Sequence, residues 1–330
     1  MSGGMMPAAC SIRVRGVVQG VGFRPFVYRL AQANTLAGWV LNGEQGVEIH
    51  LEGSEDRLND FIRDLKSSPP QAAQIAEIEI AQALPEGLDN FTIRESVRLD
   101  RPTVRISPDL PVCDACLAEL FDAEDPRYLY PYINCTNCGP RYTVVLSLPY
   151  DRPNTTMKAW PLDPYCGHEY HDPANRRFHA QPVACPACGP EFYLRQGTAE
   201  AARGNPAIVA AAEMLRVGKI LAIKGLGGYH LACDALNHDA VTAMRERKYR
   251  KEKPFAILVR NLEGARSLVK LSPEAERLLT STARPIVLAP AVQEIAAVAP
   301  DNSELGVMLP YTPLQHLLFA ASAPEVLVMT

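Results

Sequence analysis

Cys113 and Cys116 stand three positions apart, and after 18 intervening residues Cys135 and Cys138 repeat the spacing. Two such pairs of thiolates can close a tetrahedron around zinc. A redox dithiol would need one pair and a thioredoxin-like setting, and neither fits. The pattern then recurs with one change. Cys166 is followed after 18 residues by Cys185 and Cys188, and both copies end in Cys-Gly-Pro. The position three before Cys166 is Asp163. The second set is therefore Asp163, Cys166, Cys185 and Cys188, with an aspartate oxygen as a ligand or a nitrogen of His168, His171 or His179 in its place. A nonligand Asp163 with weak or absent metal is the other option.

A second grouping is Gly16-Val-Val-Gln19-Gly20-Val21-Gly22-Phe23-Arg24. Glycines let the backbone turn sharply, and a following helix start points free N–H groups and partial positive charge into the turn. With the Arg24 guanidinium added, Gln19 to Arg24 make a phosphate cradle. Read alone, the loop is more readily a glycine-rich turn with a surface arginine. A third grouping is Lys224-Gly-Leu-Gly-Gly228 together with Arg245–Lys253, which carries six positive and two negative charges in nine positions. A solvated helix face or a polyphosphate grip would both explain it. The loop lacks the order of a Walker phosphate loop.

These groups must be positioned by a chain of 330 residues, long enough for two or three domains. It is 47% hydrophobic with a formal net charge of −4, which excludes a disordered chain and weighs against a broad nucleic-acid-binding face. No apolar run is long enough to span a membrane, and the start lacks the basic and apolar regions of an export signal, so a cytoplasmic setting is expected. Fourteen of the 28 prolines fall between residues 101 and 200 and seven of the nine cysteines between 113 and 188. That middle stretch has little apolar periodicity, so metal is expected to organise it. Cys10 and Cys233 lie outside it and are expected to be ordinary thiols.

Periodicity gives the flanks. Residues 10–97 read β-α-β-β-α-β, the ferredoxin-like plan, with Phe23, Phe26, Val27 and Leu30 on one helix face and Ser54 as cap of the second helix. Residues 203–330 read as α/β, with strands at PFAILV, PIVLAP and EVLVMT. The whole is α/β and α+β, multidomain: 10–97, a duplicated zinc-knuckle module over 105–192, and 203–330.

The segment 16–24, taken with Gly38-Trp39-Val40-Leu41-Asn42-Gly43-Glu44-Gln45-Gly46-Val47 and Gly53, resembles the paired signatures of the acylphosphatase family. Leu41 replaces the polar or small residue usual there. The resemblance implies that Arg24 binds the phosphoryl group and Asn42 orients the attacking water. KGLGGYHLACDA, RERKYRKEKPFAILV and GVMLPYTPLQHLLF resemble the YrdC-type adenylate-forming domain. By that resemblance Lys224, His230, Arg247, Lys248, Arg250 and Lys253 are nucleotide-site candidates, though His230 could equally be a packed or surface histidine.

Acylphosphatase-like, zinc-knuckle and YrdC-like segments in this order, with Arg176-Arg-Phe-His-Ala-Gln181 between knuckles, resemble the HypF carbamoyltransferase family of [NiFe]-hydrogenase maturation. That resemblance implies hydrolysis of carbamoyl phosphate to carbamate, formation of carbamoyl-adenylate with ATP and magnesium, and transfer to the C-terminal cysteine of HypE. The sequence stops at Val326–Thr330 inside an apparent strand, where relatives continue into the rest of the YrdC-like domain and a transferase domain. The expectation is a front part of a longer enzyme, with an unpaired sheet edge at its end, acylphosphatase activity kept, adenylation weak and transfer absent. A stand-alone acylphosphatase with a zinc scaffold, or a zinc-ribbon RNA-binding protein, are the competing readings.

Overall fold

The computed structural model describes residues 8–43, 46–70, 72–96, 106–295 and 297–330. Glu44 and Gln45 of the second acylphosphatase-like segment, and the first seven residues, lie outside the described residues. The protein is multidomain α/β with mixed sheets. It forms two compact units, one from residues up to 109 with 134–184, the other from 110–133 with 185–330.

In the first unit, β1 (Ala8–Val17), α1 (Phe23–Ala33), β2 (Ala37–Gly43), β3 (Gly46–Gly53), α2 (Glu55–Ser67), β4 (Gln74–Gln82) and β5 (Phe91–Ile93) follow one another. The sheet order is β4-β1-β3-β2-β5. The first four strands in that order are the ferredoxin-like sheet, and β5 extends it parallel to β2. Alternation drives the assembly: Ile12 and Val14 on β1 and Ile49 and Leu51 on β3 are buried against Phe23 and Val27 of α1 and Phe61 and Leu65 of α2. Ser54 occupies the cap position of α2, as expected, but its side chain accepts no bond there; Glu55 and Asp56 in the first turn meet the helix dipole instead. Gly46, at φ 153°, allows β3 to pass so close that a Cβ would lie 1.9 Å from the Val14 carbonyl oxygen.

The cysteine-rich segment shows its duplication in the backbone. Cys113 and Asp163 are the N-caps of two short helices, α3 (Asp114–Leu120) and α4 (Pro164–His171). Fifty residues apart, Leu129 and His179 both adopt left-handed φ, 53° and 55°. The Leu129 N–H bonds the Leu120 carbonyl at 2.8 Å, and the His179 N–H bonds the Tyr170 carbonyl at 3.0 Å. Arg177 is buried, with its guanidinium on the Asn134 carbonyl and on Glu169 at 3.2 Å. Polar staples of this kind stand in for an apolar core.

In the second unit a hairpin of β6 (Tyr193–Gln196) and β7 (Ala199–Arg203) precedes α5 (Asn205–Arg216). Then come β8 (Leu221–Lys224), β9 (Tyr229–Asp234), α6 (His238–Lys248), β10 (Ala256–Val259), α7 (Leu262–Leu268), α8 (Pro273–Thr280), β11 (Val287–Pro290), β12 (Glu304–Met308), α9 (Pro313–Ala320) and β13 (Val326–Met329). The sheet order is β11-β12-β10-β13-β9-β8. The expected unpaired edge at the last strand is not found: β13 is interior, hydrogen-bonded to β10 and β9, and buried throughout. Its Val-Leu-Val-Met run, apolar on both faces, suits that interior place. β9 and β12 are strands beyond those expected, their apolar runs interrupted by His230 and Gly306. Among the described residues, no helix is long and apolar enough to cross a membrane.

Candidate functional site

The turn between β1 and α1 holds the first candidate site. Gly20 and Gly22 both sit at φ 73°, and Gly22 is the cap residue of α1. A Cβ on Gly20 would press the Tyr150 ring and the Arg141 stem at 3.2–3.3 Å, and one on Gly22 would meet Thr136 Cβ at 3.1 Å. Val21 and Phe23 turn inward into the core, so they offer the cradle only backbone. Gln19 is also buried, and its amide nitrogen is committed to the carbonyls of Gly43 (3.1 Å) and Gly46 (3.0 Å). It ties the cradle to the facing ends of β2, which carries Asn42, and β3.

Arg24, in the first turn of α1, is 8% exposed, and Asn42, at the end of β2, is 1% exposed. With the amide oriented so that its oxygen faces the guanidinium, Asn42 Oδ1 accepts from Arg24 Nε and Nη2, each at 3.2 Å. Arg24 Nη1 donates to Ser96 Oγ at 3.3 Å, and Nη2 to Asp151 Oδ1 at 2.9 Å. The cationic fork and the free N–H groups at the start of α1 thus line one small pocket, and the buried Asn42 amide backs it through its bonds to Arg24. Its remaining wall comes from the cysteine-rich segment of the same unit: Thr136, Arg141, Tyr150, His179, Ala180 and Gln181.

Arg141 links this wall to the metal loop. It is 2% exposed; its Nη groups donate to the carbonyls of Cys135, Thr136, Cys138 and Pro140, and its Nε donates to the Gly20 carbonyl. One guanidinium therefore holds together the Cys135–Cys138 knuckle and the phosphate cradle.

His179 lines the pocket instead of joining a ligand group. Burial, aided by the nearby positive charges of Arg24 and His171, pushes its pKa down to about 4. A base depressed on folding binds more protons when unfolded, so the stability it contributes is complete above about pH 6.5 and is lost as pH falls toward 4. Urea titrations at pH 7 and pH 5 are expected to show a smaller loss of stability for His179→Asn than for the unaltered chain; equal losses would contradict this assignment. Asparagine is chosen because it tolerates the left-handed backbone of this position.

The candidate metal ligands fall into two groups. One ligand atom from each of Cys113, Cys116, Cys135 and Cys138 lies within 4.8 Å of the others, and so do those of Asp163, Cys166, Cys185 and Cys188. Sulfur atoms 2.3 Å from a tetrahedral zinc stand about 3.8 Å apart. Cys135 and Cys138 Sγ are 3.8 Å apart, and Cys185 and Cys188 Sγ 3.7 Å. Zinc therefore fits both sets, and the Asp163 carboxylate stands where an oxygen ligand of the second would be. Asp163 Oδ1 also accepts the Cys166 N–H at 2.8 Å, which caps α4 and aims the carboxylate. His168 and His171 lie outside the group. Four protein ligands would leave no open position on the metal, the arrangement of a structural site. Burial raises the Cys10 thiol to about 11 and the Cys233 thiol to about 12, as expected of packed, unreactive cysteines.

In the second unit the nucleotide candidates divide. His230 Nε2 is 3.0 Å from Tyr311 Oη, Lys224 bonds the Leu226 carbonyl, and Lys248 Nζ reaches Thr330 Oγ1 at 2.9 Å. Burial and then the Lys248 charge hold His230 below its usual pKa, so these side chains share one neighbourhood on β8, β9 and α6. Arg250 is instead spent on structure, donating to the carbonyls of Lys253 and Pro254 and lying over the Phe255 ring. Arg247 and Lys253 have exposed side chains. Part of the basic run is thus scaffolding: Arg245 bonds the carbonyls of Ala297, Val298, Arg250, Lys251 and Lys253. A Cβ on Gly225 would meet His230 Nε2 at 2.9 Å, so glycine lets that ring lie against the loop.

Three family models match the chain: acylphosphatase over residues 10–93, HypF finger over 112–145 and 164–195, and the Sua5–YciO–YrdC model, described as telomere recombination, over 213–330. The carbamoyltransferase HypF of Rhodobacter capsulatus is 50% identical over 327 residues, 98% of this chain and 43% of the relative. The acylphosphatase of Thermotoga petrophila is 42% identical over 87 residues, 26% of this chain and 96% of the relative. A solved full-length HypF in a phosphate- and nucleotide-bound form superposes with a TM-score of 0.92 at 44% identity, covering 99% of this chain and 43% of that one. The chain thus spans less than half the length of these HypF relatives, and within that span all three kinds of segment occur in the same order. The chain belongs to the HypF carbamoyltransferase family.

Proposed function

We propose that this chain hydrolyses carbamoyl phosphate to carbamate at the β1–α1 turn and supplies the adenylating site that activates the product. The observation that carries the first step is a pocket lined by the Arg24 fork and the glycine-rich start of α1, with the Asn42 amide bonded to that fork from behind. Arg24 and the free N–H groups would hold the phosphoryl oxygens, and the Asn42 amide would orient a water toward phosphorus. The water oxygen bonds to phosphorus and the P–O bond to the acyl oxygen breaks, its electron pair staying on carbamate. Both water protons end on phosphate as H2PO4−. Carbamate is a good leaving group, so positioning and charge stabilisation suffice.

In the second step carbamate would attack the α-phosphorus of magnesium-bound ATP, giving carbamoyl-adenylate and pyrophosphate. Lys224, His230 and Lys248 are the side chains best placed to hold the nucleotide, with Arg247 and Lys253 available at the surface. Transfer to the C-terminal cysteine of a HypE partner is the role of the longer family members, and a cytoplasmic setting fits the reduced thiolates of the metal sites. The test follows phosphate, AMP and pyrophosphate together from carbamoyl phosphate, with and without ATP and magnesium. Phosphate release without ATP is the expected result. Release that requires ATP would contradict the assignment of the first step to the β1–α1 turn.

A further inference from the structure

Asp151 is a poor companion for a phosphate-binding arginine. It comes from the cysteine-rich segment, 127 residues beyond Arg24, yet its Oδ1 lies 2.9 Å from Arg24 Nη2. A carboxylate here repels the phosphoryl group of any acyl phosphate, so it hinders binding unless another part of the substrate rewards it. Its side chain is 26% exposed while that of Arg24 is 9% exposed, so the carboxylate lies beside the arginine on the side nearer solvent. The neighbouring polar groups are already committed. Gln181 Oε1 accepts the Arg152 N–H at 2.6 Å and the Tyr170 hydroxyl at 3.0 Å, and its amide donates to the His179 carbonyl at 2.8 Å. Asn154, nearby in sequence, bonds the Pro149 carbonyl at 2.8 Å and holds the loop that carries Asp151.

The carbamoyl group has what a simple acyl group lacks, two N–H donors. Its nitrogen lies three bonds from phosphorus, through carbon and the bridging oxygen. One molecule can therefore put its phosphoryl oxygens on Arg24 and its amide on an acceptor beside that arginine. We propose that Asp151 is a specificity-determining residue, its carboxylate accepting an N–H of the carbamoyl group and so selecting carbamoyl phosphate over acyl phosphates with a hydrocarbon acyl group. The inference rests on the acyl-phosphate reading of this pocket and adds a selector from outside the acylphosphatase-like segment. A site built to bond a substrate N–H discriminates strongly against an analogue without one, because the site's acceptor is then left unpaired beside the ligand.

The test measures kcat/KM for carbamoyl phosphate and for acetyl phosphate in the unaltered chain, in Asp151→Ala and in Asp151→Asn, with zinc content and thermal unfolding confirming the fold. The quantity read is the ratio of the two values, which cancels any general effect on Arg24. Asp151→Ala is expected to lower the carbamoyl-to-acetyl ratio by about 10- to 100-fold. Asp151→Asn, which keeps one oxygen acceptor, is expected to lie between, and it decides the matter by itself if the alanine variant does not fold. A ratio unchanged in the folded variants, with both substrates faster or slower alike, would overturn the proposal and leave Asp151 as a plain partner of Arg24. An unaltered chain that hydrolyses neither substrate would overturn the acyl-phosphate reading itself, a result distinct from an unchanged ratio.

Discussion

Arg24→Ala is expected to lower kcat/KM for acyl-phosphate hydrolysis by about 10³-fold or more, with the fold intact. A single preorganised donor at a reacting oxyanion is typically worth about 10²–10³ in rate. Arg24 supplies a charged, two-pronged fork held by Asn42, Ser96 and Asp151 in a setting where water screens it little. Arg24→Lys should recover only a small part of the loss, since a point charge cannot reproduce the fork. Asn42→Ala should cost about 10²-fold, with kcat falling more than KM rises, because Asn42 is assigned to the water and not to the ground-state phosphate. An alanine variant at position 24 that keeps most of its turnover would remove the basis for placing chemistry at this turn.

Zinc removal is expected to have the second largest effect. The stretch from 106 to 190 has few buried apolar side chains for its length, and its polar staples close on the cysteine knuckles. Structural zinc contributes about 10–16 kcal/mol in small peptides, more than the whole stability of an ordinary domain. Two zinc ions per chain are expected on isolation. Their removal by a chelator, or a Cys116→Ser substitution at one of them, should open residues 106–190 to protease. It should also lower phosphate release, although no zinc ligand touches the acyl-phosphate pocket. The reason is Arg141, which bonds the carbonyls of Cys135, Thr136 and Cys138 on one side and of Gly20 on the other. If the metal-free chain stayed protease-resistant and fully active, the metal would have no organising role.

The parts of the site legible in the sequence are those whose physics is local. Gly20, Gly22 and Arg24 fall within one turn, and their left-handed backbone and helix-start position follow from residue type alone. The cysteine spacing was equally legible, because a tetrahedron of thiolates leaves few alternatives, and so was the βαββαβ order with its alternating strands. Asp163 could be named beside three histidines, but that its carboxylate caps α4 and lies with the cysteines depends on the fold.

Long-range contacts were not legible. Asp151 stands in a proline-rich loop with no motif around it, and only folding brings it to Arg24. The basic run from Arg245 to Lys253 misled in a different way. Six positive charges suggest a phosphate grip, yet Arg245 and Arg250 are occupied with backbone carbonyls. Charge density along a sequence does not reveal which guanidinium groups the fold has already used. The last strand was misjudged as an edge for a related reason: its pairing with β9 and β10 is set by strands far from it in sequence.

The central claim is that the Arg24–Asn42 pocket directs water to phosphorus. The most direct measurement is hydrolysis of carbamoyl phosphate in ¹⁸O-labelled water, with the released phosphate analysed by mass. One labelled oxygen per phosphate is expected for each turnover by the unaltered chain, at a rate that collapses in Arg24→Ala. Phosphate released without label would mean that the C–O bond breaks instead of P–O, and the pocket would then have been assigned the wrong chemistry.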